Sequence, residues 1–254
     1  MCLILLAWQV HPEYPLVVAA NRDEFFARPT APARFWPDHR FVLAGRDLSA
    51  GGTWIGVARN GRFAALTNHR DPARNRNDAP SRGPLVADFL EGAESPETCC
   101  KRLAGQDGRA YNGFNLLVGD RDRLFWISNV SREARQLSAG IYGLSNELLD
   151  TPWPKVEQSK SGLAKALMAL PDEQPLFQLL RDDTIYPDDM LPRTGIDTEW
   201  ERLLSAAFVR GPGYGTRSST VLLKERSGNI LFDEQTWLEQ AKAGPRHRFR
   251  FSMA

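Results

Sequence analysis

Residues 2–25 read CLILLAWQVHPEYPLVVAANRDEF, and the fold turns on how this stretch is read. An apolar run over residues 3–9 is broken by His11-Pro12-Glu13-Tyr14-Pro15 and resumes over 16–20 with two valines. Apolar runs of that length, bounded by turn residues, read as buried strands. Paired as a hairpin, they bring the end of the second strand beside the start of the first. That end is Asn21-Arg22-Asp23-Glu24, and the start is Cys2. The hairpin therefore sets charge next to a thiol.

Two readings of Cys2 follow. A free cysteine most often behaves as a small buried hydrophobe, and here it would simply open a strand. The four polar residues would then cap the second strand as a surface turn. In the other reading, the small residue after Met1 lets the methionine be removed, leaving Cys2 as the amino terminus. Thiol and α-amine then belong to one residue. The amine, with a reference pKa of ~7.7–8.0, serves as the base for its own side chain. Asp23 would orient that amine, and Arg22 would favour the thiolate.

Further along, Thr53-Trp54-Ile55-Gly56-Val57-Ala58 and residues 62–67 flank Arg59-Asn60-Gly61, a strong hairpin signal. Residues 28–40 are rich in Pro and Arg and read as loop. Residues 71–83 (DPARNRNDAPSRG) read as an exposed basic loop, with Arg70, Arg74, Arg76 and Arg82 in or beside it. Helices are predicted over 85–91 and over 96–103, the latter with Ser95 as N-cap and Pro96 at its first position. Strands are predicted over 114–118, 124–128 and 142–146. A helix capped by Asp150 or Thr151 should open at Pro152 and run to 170, leading a mostly helical section through 204. Two last strands, 219–224 and 230–232, flank Arg226-Ser227-Gly228-Asn229, and the tail 243–254 reads as loose or locally docked. Hairpins first and last with helices between them predict one α+β domain over 1–254.

Composition narrows the function classes. The 254 residues carry 32 Lys+Arg against 31 Asp+Glu, a formal net charge of +1, without the basic excess of a general nucleic-acid binder. No segment approaches the ~20 apolar residues of a membrane span, and the first apolar run lacks the flanks of a secretory signal. Three cysteines, Cys2, Cys99 and Cys100, make no disulfide framework and fit a reducing compartment, so the expected address is cytoplasmic. No spacing of His, Cys, Asp or Glu suggests a metal site. Oligomeric state is not specified.

Several blocks taken together carry a resemblance: MCLILLAW, VVAANRDEFFARP, AGRDLSAGGTWIGVARNGRFAALTNHRDP, YNGFNLLVGD, YGLSNELLDTPWPKV and YGTRSSTVLL. In this order they closely resemble the NRDE family, also called the Transport and Golgi organisation protein two family, over nearly the whole chain. That family looks like a member of the N-terminal nucleophile (Ntn) hydrolases. The resemblance implies a four-layer αββα sandwich of mainly antiparallel sheets. By comparison with cysteine acylases such as penicillin V acylase and bile salt hydrolase, Cys2 matches the nucleophile and Asp23 the amine-orienting acid. Asn68 and Asn146 match two oxyanion donors, and Arg217 a late arginine; side-chain amides suit a developing oxyanion. In those acylases two residues separate the Arg from the Asp. Here Arg22 and Asp23 adjoin, so an extended strand turns them to opposite faces, and the comparison favours Asp23 over Arg22. Asn21, Trp54, His69 and Arg70 complete the candidate pocket as ligand-binding residues.

The residues point to a hydrolase of an amide or thioester in a small acyl compound, with no cofactor required. The family also implies an alternative: a non-catalytic intracellular carrier of haem or of acyl-CoA and other lipids through the same pocket. Haem has no ligating pattern here, with neither a Cys-Pro pair nor a His/Met arrangement. Either way the expected partner is a small amphiphilic or acyl ligand, without nucleic acid and without membrane insertion.

Overall fold

The computed structural model describes residues 2–254. In chain order its strands begin with β1 (Cys2–Trp8), β2 (Leu16–Phe25), β3 (Thr30–Phe35), β4 (Val42–Asp47), β5 (Ile55–Ala58) and β6 (Phe63–Asn68). Three helices follow: α1 (Gly83–Glu91), α2 (Pro96–Ala104) and α3 (Gln106–Arg109). Then come β7 (Phe114–Gly119), β8 (Leu124–Ser128), β9 (Glu133–Gln136) and β10 (Gly140–Leu144). After α4 (Pro154–Ala166), α5 (Gln174–Leu179) and α6 (Thr198–Leu203), the chain closes with β11 (Tyr214–Lys224), β12 (Asn229–Leu238) and β13 (Lys242–Ser252). It divides into two compact units, one holding the chain up to Ala27 and from Ala139 to Arg250, the other Arg28–Ser138 and Phe251–Ala254.

The first unit holds a six-stranded sheet in the order β10-β1-β2-β11-β12-β13. Leu3, Leu5 and Ala7 of β1, with Val17 and Ala19 of β2 and Val221 and Leu223 of β11, share one face. On that face they pack against Trp153, Val156 and Leu163 at α4 and Leu176 and Phe177 of α5. The alternate residues Ile4, Leu6, Val18, Ala20 and Leu222 are buried too. Burial on both faces explains why residues 3–9 and 16–20 read as continuous apolar runs without alternation. Each fully buried Leu in such a sheet contributes about 1.5–3 kcal/mol.

The second unit holds a seven-stranded sheet in strict sequence order, β3 to β9. Its Val42, Ala64, Leu66, Phe114, Leu116 and Ile127 meet Val86, Phe89 and Leu90 of α1 and Cys99, Cys100 and Leu103 of α2. The predicted hairpin is β5–β6, with Gly61 at φ +85 and the Asn60 side chain accepting from the Arg62 N–H at 3.2 Å. Ser95 caps α2 as predicted, its hydroxyl accepting from the Thr98 N–H at 3.1 Å. The described pairings are antiparallel, so the chain is a mixed α+β protein with two antiparallel sheets, each with helices on one face.

Three local expectations are corrected. Residues 28–40 contain β3, an edge strand whose register shifts between Ala31 and Arg34, where Pro32 can be accommodated. The long helix expected from Pro152 starts at Pro154, because Trp153 precedes a proline and is held extended (φ −68, ψ 142); regular α-helix ends at Ala166. The tail, expected to be loose or locally docked, is the strand β13. Arg246 clamps it to β12 through two hydrogen bonds of 2.9 Å to the carboxylate of Asp233, which is fully buried. The acid that orders the tail lies thirteen residues upstream of the arginine it holds.

Candidate functional site

Strand register assembles the site in the first unit. Cys2 lies directly opposite Arg22 on β2, and Arg22 lies opposite Ser218 on β11. On the other side, β1 pairs with β10 in the register Ile4 to Leu144. The register ends there, and Ser145 and Asn146 follow β10 past its last paired residue. The segments are still in contact there, since the Ser145 hydroxyl donates to the Cys2 carbonyl at 3.2 Å. Directly opposed residues project to the same face. Cys2, Arg22 and Ser218 therefore form one row, with neighbouring strands about 4.8 Å apart, and the buried Asn146 follows Ser145 at the edge of that row.

Asp23 turns to the other face, which it shares with Asn21. Its carboxylate accepts from the Thr216 hydroxyl at 2.7 Å, and the same hydroxyl accepts from the Val209 N–H at 2.9 Å. Arg22 and Asp23 thus part as strand alternation requires. It is Arg22, the residue the acylase comparison disfavours, that shares the thiol's face. Asp23 reaches Cys2 through its backbone N–H, whose hydrogen bond draws the thiol's pKa down.

Arg217 occupies the irregularity between Thr216 and Ser218, where β11 slips against β2. A bulge re-aims a side chain, and Arg217 donates to the Phe25 carbonyl at 2.7 Å with its guanidinium 5.3 Å from the Phe26 ring centroid. Asn21 is committed to structure. Its amide donates to the carbonyls of Leu180 and Ala207, both at 2.8 Å, and its oxygen accepts from Ser219 at 2.6 Å.

Burial dominates the electrostatics. It pushes the Cys2 thiol up, against the pull of the positive chain terminus and of Arg22, while Asp23 adds to the rise. Burial also raises the Asp23 carboxyl, and the chain terminus, Lys155, Thr216 and Arg22 oppose it in that order. Arg217 is lowered by burial and then by Arg22, so the two guanidinium groups feel each other. The expected removal of Met1 concerns a residue outside the described ones.

Trp54, Asn68, His69 and Arg70 belong to the second unit. Asn68 ends β6 opposite Phe114. Trp54 lies against Gly45 so closely that a Cβ there would stand 2.4 Å from the ring. Arg70 is buried. His69 donates its backbone N–H to the Gly113 carbonyl at 2.9 Å and lines a cavity of about 370 Å³. Arg74, Arg76, Arg109, Arg132 and Asp71 share that cavity, so part of the basic loop borders a real recess. Among the described residues no group of three or more His, Cys, Asp and Glu is placed to hold a metal ion. No helix is long and apolar enough to cross a membrane.

Sequence reasoning missed Thr216, Ser218 and Lys155. The signal was present in Thr216-Arg217-Ser218-Ser219-Thr220, five polar residues inside a buried strand, and in a lysine one residue into α4. Ser218 is 5% exposed, and its hydroxyl has no hydrogen-bond partner among the described residues.

Fold and site define a mixed α+β protein whose second residue, a cysteine, opens a strand flanked by an arginine and an asparagine. The chain belongs to the Transport and Golgi organisation 2 family, whose model matches residues 1–239. It is 37% identical to the Transport and Golgi organization protein 2 homolog of Bos taurus, over 94% of both chains. It is 30% identical to Transport and Golgi organization protein 2 of Drosophila melanogaster, over 93% of this chain and 92% of that one. Among solved structures it resembles a C2A mutant of the conjugated bile acid hydrolase of Clostridium perfringens, at 13% identity and a TM-score of 0.47. That match covers 100% of this chain and 92% of the other. It also resembles a Caenorhabditis elegans N-acylethanolamine-hydrolyzing acid amidase ortholog, at 14% identity and a TM-score of 0.43, over 87% and 92%.

Proposed function

We propose that the protein is a cysteine hydrolase of the N-terminal nucleophile type, cleaving an amide or thioester of a small acyl compound in the cytoplasm. The observation that supports it most is Cys2 opposite Arg22, with the Asp23 backbone at the thiol and the Ser145 hydroxyl, next to Asn146, on the Cys2 carbonyl. With Met1 removed, the Cys2 α-amine takes the thiol proton, and the nearby Arg22 charge favours the thiolate. The thiolate adds to the substrate carbonyl, and the Asn146 amide is the donor for the oxyanion that develops. Collapse breaks the C–N or C–S bond, and the ammonium proton leaves with the departing group. Water, deprotonated by the same amine, then hydrolyses the Cys2 thioester. Arg217 is the proposed substrate-facing cation, as in the acylases the sequence resembles. Nucleophile, base and donor all belong to the chain, so the reaction needs no cofactor.

Kinetics of nucleophile variants test this reading. Cys2→Ser and Cys2→Ala should each lose turnover by at least about 10³-fold while retaining substrate affinity, because the amide donor remains. Turnover that survives Cys2→Ala would overturn it.

One observation favours the carrier reading instead. The recess of about 370 Å³ around His69, with its four arginines, is suited to an anionic ligand and contains no cysteine. A carrier of haem or of an acyl-CoA would keep its affinity in Cys2→Ala and in a form retaining Met1, with no adduct on Cys2.

A further inference from the structure

The polar network beneath Asp23 contains a group that the proposed reaction does not use. Lys155, in the first turn of α4, is 3% exposed. A lysine is almost never buried that deeply without a compensating partner. Its ammonium donates to the Leu204 carbonyl at 2.7 Å and lies 3.5 Å from the Ala206 carbonyl. The next residues of the same segment serve the face on which Asp23 lies. The Ala207 carbonyl accepts from Asn21, and the Val209 N–H donates to Thr216, whose hydroxyl donates to Asp23. Residues 204–209 thus join the lysine to the carboxylate from below, while α4 itself packs over β1 and β10.

We propose that Lys155 is a positioning residue whose buried charge holds Asp23 as a fixed carboxylate for the α-amine that removal of Met1 exposes on Cys2. The inference deepens the hydrolase reading and rests on it for its catalytic meaning. The charged and titratable groups around Asp23 are few. Cys2 comes from β1, Arg22 from its own strand and Lys155 from α4, whereas β11 contributes the uncharged Thr216 hydroxyl. A carboxylate removed from water is protonated unless cations compensate. Arg22 projects to the thiol's face, so Lys155 is the cation on the carboxylate's own side. An ionised Asp23 can accept from the α-ammonium formed when the thiol gives up its proton. A protonated one cannot stabilise that charge.

Single-turnover acylation of Cys2 in Met1-free protein, by an activated acyl ester followed across pH, is one arm of the test. Lys155→Met should slow acylation roughly tenfold and move the acid limb of the profile to higher pH, because Asp23 then keeps its proton longer. Lys155→Arg should restore most of the rate. A purely structural lysine would change protein yield and leave the limb in place, and that result overturns the proposal. The second arm needs no variant: ¹³C NMR of the Asp23 carboxyl in the wild-type protein should show it ionised throughout the active pH range. A protonated carboxyl there overturns the proposal even if Lys155→Met fails to fold. If the wild-type protein is never acylated, the hydrolase reading fails. The carboxyl titration, run from neutral pH downwards, still decides whether Asp23 is held as a carboxylate.

Discussion

Arg22 and Asp23 are chemical neighbours that serve different faces of β2, one beside the thiol and the other beside Thr216. Strand alternation made that division readable from two adjacent letters. Which of the two accompanies Cys2 depended on register, and register follows from pairings with β1 and β11 that no local pattern contains. Asn21 shows the same gap: a polar residue at the end of a buried strand looks like a ligand contact until its partners 159 and 186 residues away are known. Two predictions belong at this scale. Burial pushes Cys99 up to about 11 and Cys100 up to about 12. Both are buried whereas Cys2 is only partly so, and at pH 8 their thiolate fractions are about 10⁻³ or less, so iodoacetamide on folded protein should alkylate Cys2 ahead of them, as read by peptide mass mapping. Asp23 holds its proton more tightly folded than unfolded, so its contribution to stability is full below about pH 4 and is lost as pH rises through its raised value. In urea unfolding, the stability of Asp23→Asn relative to wild type should therefore increase from about pH 4 to neutrality. Lys155 and the other cations reduce that rise without reversing it, so a difference that shrinks over the interval would contradict the raised value.

Elements bounded by local chemistry were readable and those bounded by distant partners were not. Asn60-Gly61 and Ser95-Pro96 mark their turn and cap within four residues, and both stand where expected. The start of α4 was displaced by two residues because two prolines compete there, and the second one wins by forcing Trp153 to be extended. The last strand illustrates the opposite case. Residues 246–251 (RHRFRF) alternate as a strand does, a signal the sequence reading did not use, and Arg246 and Arg248 face a buried Asp233 and a largely buried Glu173. Removing one partner of a buried ion pair costs about 3–5 kcal/mol. Arg246 is a third exposed and Arg248 remains within reach of Asp233, so Arg246→Ala should cost less, about 2 kcal/mol. Thermal unfolding checks the loss, and amide exchange should show β13 opening first. Unchanged protection over Lys242–Ser252 in that variant would show that backbone pairing alone holds the strand.

For the molecule as a whole, hairpins at both ends with helices between them were enough to give an α+β chain, whereas the two antiparallel sheets were implied by the family resemblance. The division into two compact units was not readable, because each unit draws on separated stretches of the chain. The candidate site inherits that discontinuity: Cys2, Arg22 and Ser218 come from β1, β2 and β11, and Asn146 from the bend after β10. A net charge of +1 gives the protein no strong overall field, so attraction of an anion must be local to the arginine-lined recess. Binding of an anionic acyl ligand there should weaken as ionic strength rises, and replacing Arg109 and Arg132 together by Gln should flatten that dependence in a titration at two salt concentrations. A salt slope left intact by the double substitution would place the ligand elsewhere.

The central claim is that Cys2 is a nucleophile made competent by its own amine. Intact mass spectrometry after brief exposure to an activated acyl ester tests it most directly, comparing Met1-free protein with a form that retains Met1. The account predicts one acyl mass added to the Met1-free protein at Cys2, lost again on standing as the thioester hydrolyses, and no adduct on the Met1-retaining form. Equal acylation of both forms, or none on the Met1-free protein, would contradict it.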